Sequence, residues 1–82
     1  MEIFPISPEV TLYLKKRRLE KKFWKQVELF KDNPFHPSLN TELMEPRRMH
    51  LWSFRVDKKY RANFLFLNPN TIEVTEVNNH YR

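Results

Sequence analysis

Residues 51–75, Leu51-Trp52-Ser53-Phe54-Arg55-Val56-Asp57-Lys58-Lys59-Tyr60-Arg61-Ala62-Asn63-Phe64-Leu65-Phe66-Leu67-Asn68-Pro69-Asn70-Thr71-Ile72-Glu73-Val74-Thr75, decide the fold, because their apolar side chains recur every second position. A period of two puts alternate side chains on opposite faces of a strand. Trp52, Phe54 and Val56 alternate with Ser53 and Arg55; Ala62, Phe64 and Phe66 alternate with Arg61, Asn63 and Leu65; Ile72 and Val74 alternate with Glu73 and Thr75. Asp57-Lys58-Lys59 and Asn68-Pro69-Asn70 are the turn-forming interruptions. The pattern predicts a three-stranded antiparallel meander.

Its register follows from the turns. If Arg55 lies opposite Arg61, Phe54 faces Ala62. If Leu67 lies opposite Thr71, Phe66 faces Ile72 and Phe64 faces Val74. The apolar side chains then share one face, which helices must cover. Ser53, Arg55, Arg61, Asn63, Glu73 and Thr75 share the other.

The covering helices are found upstream. Ser7-Pro8-Glu9 has a hydroxyl cap, a proline at the first helical position and an acid near the positive end of the helix dipole. Val10, Tyr13 and Leu14 have helical spacing, and after Lys15-Lys16-Arg17-Arg18 it resumes with Leu19, Phe23, Val27 and Phe30. Either a helical hairpin or one bent helix satisfies this periodicity, since no glycine marks a break; the hairpin is the expectation. Asp32-Asn33-Pro34 ends the helical stretch, because the residue before a proline is pushed out of the α region. Met1–Ile6 reads as a first or edge strand and Phe35–Pro46 as an irregular connection. The expected fold is a single α+β domain over residues 1–82: an N-terminal strand, then a helical hairpin packed on one face of a small antiparallel sheet.

With 82 residues there is room for one core, and an aromatic content of 15% supplies apolar area in a short chain. Cysteine is absent, which excludes disulfides, thiolate metal sites and cysteine nucleophiles and fits a reducing cytosol. Glycine is absent too, which excludes a P-loop, a dinucleotide-binding turn and a nucleophile elbow. The beginning of the chain has no leader pattern and no run is long enough to span a membrane, so a cytoplasmic location and no membrane partner are expected. A net charge of +5 favours a polyanionic partner, though solubility or an acidic protein partner explains it equally.

Arg55 and Arg61 stand out because like charges opposite one another on adjacent strands repel. An anion between them removes the repulsion, and two guanidinium forks suit a phosphate and its transition-state charge. Ordinary ion pairs with Asp57, Glu73 or Glu76 remove it equally well. His80 and Tyr81 offer an acid or base and a stacking ring, but read alone they are a solvated tail. Glu42 and Glu45 are acids in the connection before the sheet. His36, His50 and His80 lack ligand spacing, so no metal and no other cofactor is expected. Lys15–Lys25 holds seven basic residues around Phe23 and Trp24, which suits either an RNA backbone or a solvated helix face.

Asn33-Pro34-Phe35-His36-Pro37-Ser38-Leu39, followed by Trp52-Ser53-Phe54-Arg55-Val56 and then Tyr60-Arg61, resembles the corresponding segments of the RelE/ParE toxin superfamily, closest to its RelE, YoeB and YafQ branch. The resemblance implies a cytoplasmic toxin of a toxin–antitoxin pair, a metal-independent endoribonuclease that cuts messenger RNA in the ribosomal A site. It implies attack by a ribose 2′-hydroxyl, giving a 2′,3′-cyclic phosphate. Partners would be a cognate antitoxin, in a possible hetero-oligomer, and the messenger and ribosomal RNA of the ribosome. By the same resemblance Glu42 is the general base, Arg61 with Arg55 stabilises the phosphorane, His80 is the general acid and Tyr81 orients the nucleotide. The loop before Trp52 departs from the family's glycine and lysine pattern, and Arg47, Arg48 and His50, with Lys58 and Lys59, are the expected RNA-binding residues. The alternatives are a gyrase-inhibiting relative of the ParE kind and a degenerate module that only binds antitoxin or RNA.

Overall fold

In the computed structural model, which describes residues 1–79, the chain forms a five-stranded sheet with two helices on one face. The elements in chain order are β1 (Glu2–Ile3), α1 (Pro8–Lys16), α2 (Glu20–Asp32), β2 (Glu42–Leu43), β3 (Trp52–Arg55), β4 (Tyr60–Asn68) and β5 (Thr71–Asn79). Short 3-10 turns at Pro37–Leu39 and Arg47–Met49 flank β2. The strand order is β1-β5-β4-β3-β2, and the one parallel pairing, β1 with β5, makes the sheet mixed.

Local chemistry explains the helix ends. Ser7 Oγ accepts from the Val10 amide at 3.2 Å, satisfying an otherwise unpaired donor of the first turn. At the other end of α1 the Leu19 amide reaches the Leu14 carbonyl at 2.9 Å and the Arg18 amide reaches Lys15 at 3.1 Å. This is a Schellman cap, with Arg18 in the left-handed region at φ 56° where glycine is usual. The cap turns the chain into a hairpin without glycine. After α2 the Asn33 side chain accepts from the Phe35 amide at 3.0 Å, closing a turn through Pro34.

The core lies between the helices and the apolar face of the sheet. Phe30 packs with ring centroids 5.5 Å from Phe54 and 5.1 Å from Phe64, and Val10, Leu14, Leu19, Phe23 and Val27 complete the helical side. The expected pairings Arg55 with Arg61, Phe54 with Ala62, Phe64 with Val74 and Phe66 with Ile72 are all present.

Two expectations need correction, and β5 adds a feature of its own. Asn68, not Leu67, lies opposite Thr71, because an irregularity between Phe66 and Asn68 leaves Leu67 over. A second irregularity at Asn63/Phe64 leaves Thr75 unpaired and reverses the faces of β5 beyond it, so that Val74 and Val77, three apart, both reach the core. The Phe35–Pro46 connection is not wholly irregular, since Glu42 and Leu43 pair with Ser53 and Trp52 as a fourth antiparallel member. No helix among the described residues is long and apolar enough to cross a membrane.

Candidate functional site

On the polar face, two rows of paired residues run across the strands. One is Glu42, Ser53, Asn63 and Glu76, from β2 to β5; the next is Arg55, Arg61 and Asn78. Arg61 lies at the centre and is only 4% exposed. Its Nε donates to Ser53 Oγ at 2.9 Å, and its Nη2 donates to the carbonyls of Asn40 at 2.7 Å and Ser53 at 3.2 Å. Ser53 Oγ in turn donates to Met44 Sδ at 3.2 Å. The Asn40 carbonyl is delivered by a left-handed residue, φ 48°, at the end of the Pro37–Leu39 turn. The segment from Asn40 to Met44 thus closes over the arginine, and its place on the polar face does not leave it open to solvent.

Glu42 Oε1 stands 3.9 Å from Arg61 Nη2, and the Glu42 side chain is half exposed. Burial pushes the Arg61 guanidinium below its ordinary pKa, Glu42 pulls it back up and Arg55 lowers it again. Arg61 remains a cation at any physiological pH, since a guanidinium starts so far above neutrality. Among the described residues, the hydrogen bonds of the guanidinium run through Nε and Nη2. Arg55 lies opposite, exposed, and its carbonyl accepts from Gln26 Nε2 at 2.8 Å. The same Gln26 amide reaches the Ser38 carbonyl at 3.2 Å, tying the end of β3 and the turn before β2 to helix α2.

The fold therefore brings Glu42, Arg55 and Arg61 together. His80 and Tyr81 lie outside the described residues. Arg47, Arg48 and His50 are exposed in the turn before β3, where Arg47 meets Glu45 at 3.6 Å; Lys58 and Lys59 are exposed beyond its other end. Cations thus flank the polar face at both ends of β3. The basic stretch Lys15–Lys25 belongs to the helical hairpin on the opposite side of the sheet, and Lys22 there pairs with Asp57 at 3.1 Å.

Asp57 is part of the β3–β4 turn. Burial raises its pKa, but the amides of Lys59 and Tyr60, each 2.8 Å away, and Lys22 outweigh that and hold the carboxyl below its ordinary value.

Sequence reading missed Ser53, Asn40 and Gln26 as site supports, and Asn63 and Glu76 as a polar pair joined at 2.9 Å. Ser53 and Asn63 were legible as polar-face residues; the contacts of Asn40 and Gln26 depend on where a connection folds, which no periodicity reports.

The fold has counterparts in solved structures. The match to a YoeB/ParE toxin from Agrobacterium tumefaciens has a TM-score of 0.72 at 17% identity and covers 99% of this chain and 100% of that one. This is the YoeB/ParE toxin fold. A YoeB-YefM complex from Staphylococcus aureus and a heterotetrameric YoeB-YefM toxin–antitoxin complex from the same organism each match with a TM-score of 0.70 at 17% identity, over 99% of this chain and 98% of theirs. Neither a family model nor a curated protein sequence matches the chain. The YoeB/ParE fold thus extends over the full described length, helices and mixed sheet included.

Proposed function

We propose that this chain is the toxin of a type II toxin–antitoxin pair and an endoribonuclease that cuts messenger RNA, in the ribosomal A site. The observation that carries the reading is the fixed Arg61 at the centre of the polar face, with Glu42 at 3.9 Å and Arg55 directly opposite. A cation held in place by neutral acceptors is a preorganised receptor for a phosphate. A carboxylate beside it suits removal of a proton from a ribose hydroxyl.

In the reaction the 2′-hydroxyl loses its proton to Glu42 and attacks the adjacent phosphorus. Arg61, assisted by Arg55, offsets the charge that builds on the phosphorane oxygens. The bond to the 5′-oxygen then breaks, leaving a 2′,3′-cyclic phosphate, and the departing oxygen takes a proton from His80. Tyr81 orients the nucleotide. The roles of His80 and Tyr81 rest on the family resemblance alone. Arg47, Arg48, His50, Lys58 and Lys59 hold the RNA backbone on either side, a contribution that weakens with salt. No step calls on a metal or other cofactor. The antitoxin partner follows from the toxin–antitoxin pairing named for the Staphylococcus aureus complexes. Both partners act in the cytoplasm.

The test is induced expression in a bacterial host, with primer-extension mapping of an abundant messenger RNA for the wild type beside His80→Ala. Growth arrest with new in-frame 5′ ends that vanish in the variant is expected. Arrest without such ends would move the reading to gyrase inhibition, and no arrest to a module that only binds.

A further inference from the structure

Strict alternation along β5 from Ile72 and Val74 puts the next even-numbered residue, Glu76, on the apolar face. The irregularity that leaves Thr75 unpaired prevents this: Glu76 pairs with Asn63 and Asn78 with Arg61, while Val77 takes the core position. Bulges of this kind re-aim a side chain, and they recur beside active sites. Here the re-aimed residue is a carboxylate, delivered to a polar face otherwise suited to anions.

That carboxylate is held. Glu76 Oε1 accepts from Asn63 Nδ2 at 2.9 Å and from Asn78 Nδ2 at 3.2 Å, and Asn63 is only 5% exposed. Oε2 makes no hydrogen bond to a described residue, and Glu76 itself is exposed.

We propose that Glu76, fixed by Asn63 and Asn78, is a base-reading residue that selects guanine next to the phosphate held by Arg61. The inference rests on the ribonuclease reading for its choice of ligand. A fixed carboxylate repels phosphate and needs donors. In single-stranded RNA the Watson–Crick edges are accessible to side chains. Guanine offers N1–H and the N2 amino group side by side, whereas adenine sets its N6 amino group beside the N1 acceptor, which a carboxylate repels. Glu76 therefore discriminates between the two purines.

The experiment titrates guanosine 3′-monophosphate and adenosine 3′-monophosphate into the purified full chain, followed by NMR shifts, for the wild type, Glu76→Gln and Glu76→Ala. The wild type should bind the guanosine nucleotide about tenfold more tightly, the scale of discrimination of a good base-edge contact. In Glu76→Gln the side-chain carbonyl keeps the two asparagines and an amide N–H replaces the outward oxygen, so the preference should vanish or reverse. Glu76→Ala should bring the two affinities to parity by weakening only the guanosine nucleotide. Should one variant fail to fold, the other decides. Equal wild-type affinities, binding of neither nucleotide, or a guanine preference that survives substitution would overturn the inference. A Glu76-dependent preference in a protein that cuts no RNA supports the base-reading site and sinks the ribonuclease reading; cutting without the preference does the reverse.

Discussion

Arg61 and Ser53 are joined twice, Nε to Oγ at 2.9 Å and Nη2 to the carbonyl oxygen at 3.2 Å, and both residues are almost wholly buried. A buried cation with neutral acceptors is costly to disturb, because each acceptor removed leaves a charged donor without water or partner. Ser53→Ala removes the hydroxyl and changes the volume little. It should cost about 1.5–3 kcal/mol of stability, the range for hydrogen bonds to charged groups, measured by urea denaturation.

Arg61→Ala differs from a surface truncation for the same reason. It empties the space under the Asn40–Met44 segment and leaves Ser53 Oγ and the Asn40 carbonyl without their guanidinium donor. A loss of about 2–4 kcal/mol is expected from combined cavity and hydrogen-bond terms. Loss of toxicity in this variant therefore has to be read beside its melting curve. An Arg61→Ala protein as stable as the wild type would show that the buried network contributes little.

Glu42→Gln separates chemistry from structure better. The Glu42 side chain is half exposed and 3.9 Å from its partner, a weak pair that contributes well under 1 kcal/mol. Stability should stay within about 0.5 kcal/mol of the wild type. If Glu42 takes the hydroxyl proton, RNA cleavage should fall by about 10²–10⁴-fold, the usual weight of a general base. A single-turnover cleavage assay on programmed ribosomes, with denaturation curves alongside, checks both halves.

The register of β3 with β4 was legible because the short Asp57-Lys58-Lys59 turn and a period of two set Phe54 against Ala62, with Trp52 and Phe64 on the same face. What escaped reading has physical causes. The Thr75 and Leu67 irregularities involve no glycine, so nothing in composition marks them. Glu42 and Leu43 form too short a strand to show alternation, and the parallel pairing of Glu2 and Ile3 with β5 is equally brief. Arg55 and Arg61 drew notice through the like charges that the register places opposite one another, and Glu42 through the family resemblance. The burial of Arg61 escaped because it depends on a connection folding back, and the pairing of Glu76 with Asn63 because it depends on a bulge.

Asp57 gives the fold an acid-sensitive joint. Its folded pKa is depressed, so the stability it contributes is present above the unfolded carboxylate value of about 4 and is lost as pH falls through the lower folded value. Asp57→Asn should therefore flatten the fall of stability below about pH 4 and make its largest difference at neutral pH. Lys22→Ala should change the acid limb much less, since Lys22 is largely exposed and the turn amides of Lys59 and Tyr60 remain. Denaturant midpoints across the acid range report both.

Arg18 carries the last prediction. It holds the Schellman position between α1 and α2 at φ 56°, where an L-residue with a Cβ is strained and glycine is not. Its side chain is exposed, so substitution removes no core contact. Glycine relieves the strain but enlarges the freedom of the unfolded chain, and the two effects partly cancel. Arg18→Gly should still raise stability, by about 0.5–1 kcal/mol, with the hairpin intact. Arg18→Val should lower it by more than that, because a β-branched residue tolerates the left-handed region poorly. The opposite signs of the two substitutions, read from thermal melts, distinguish backbone strain from any effect of the lost charge, which both variants share.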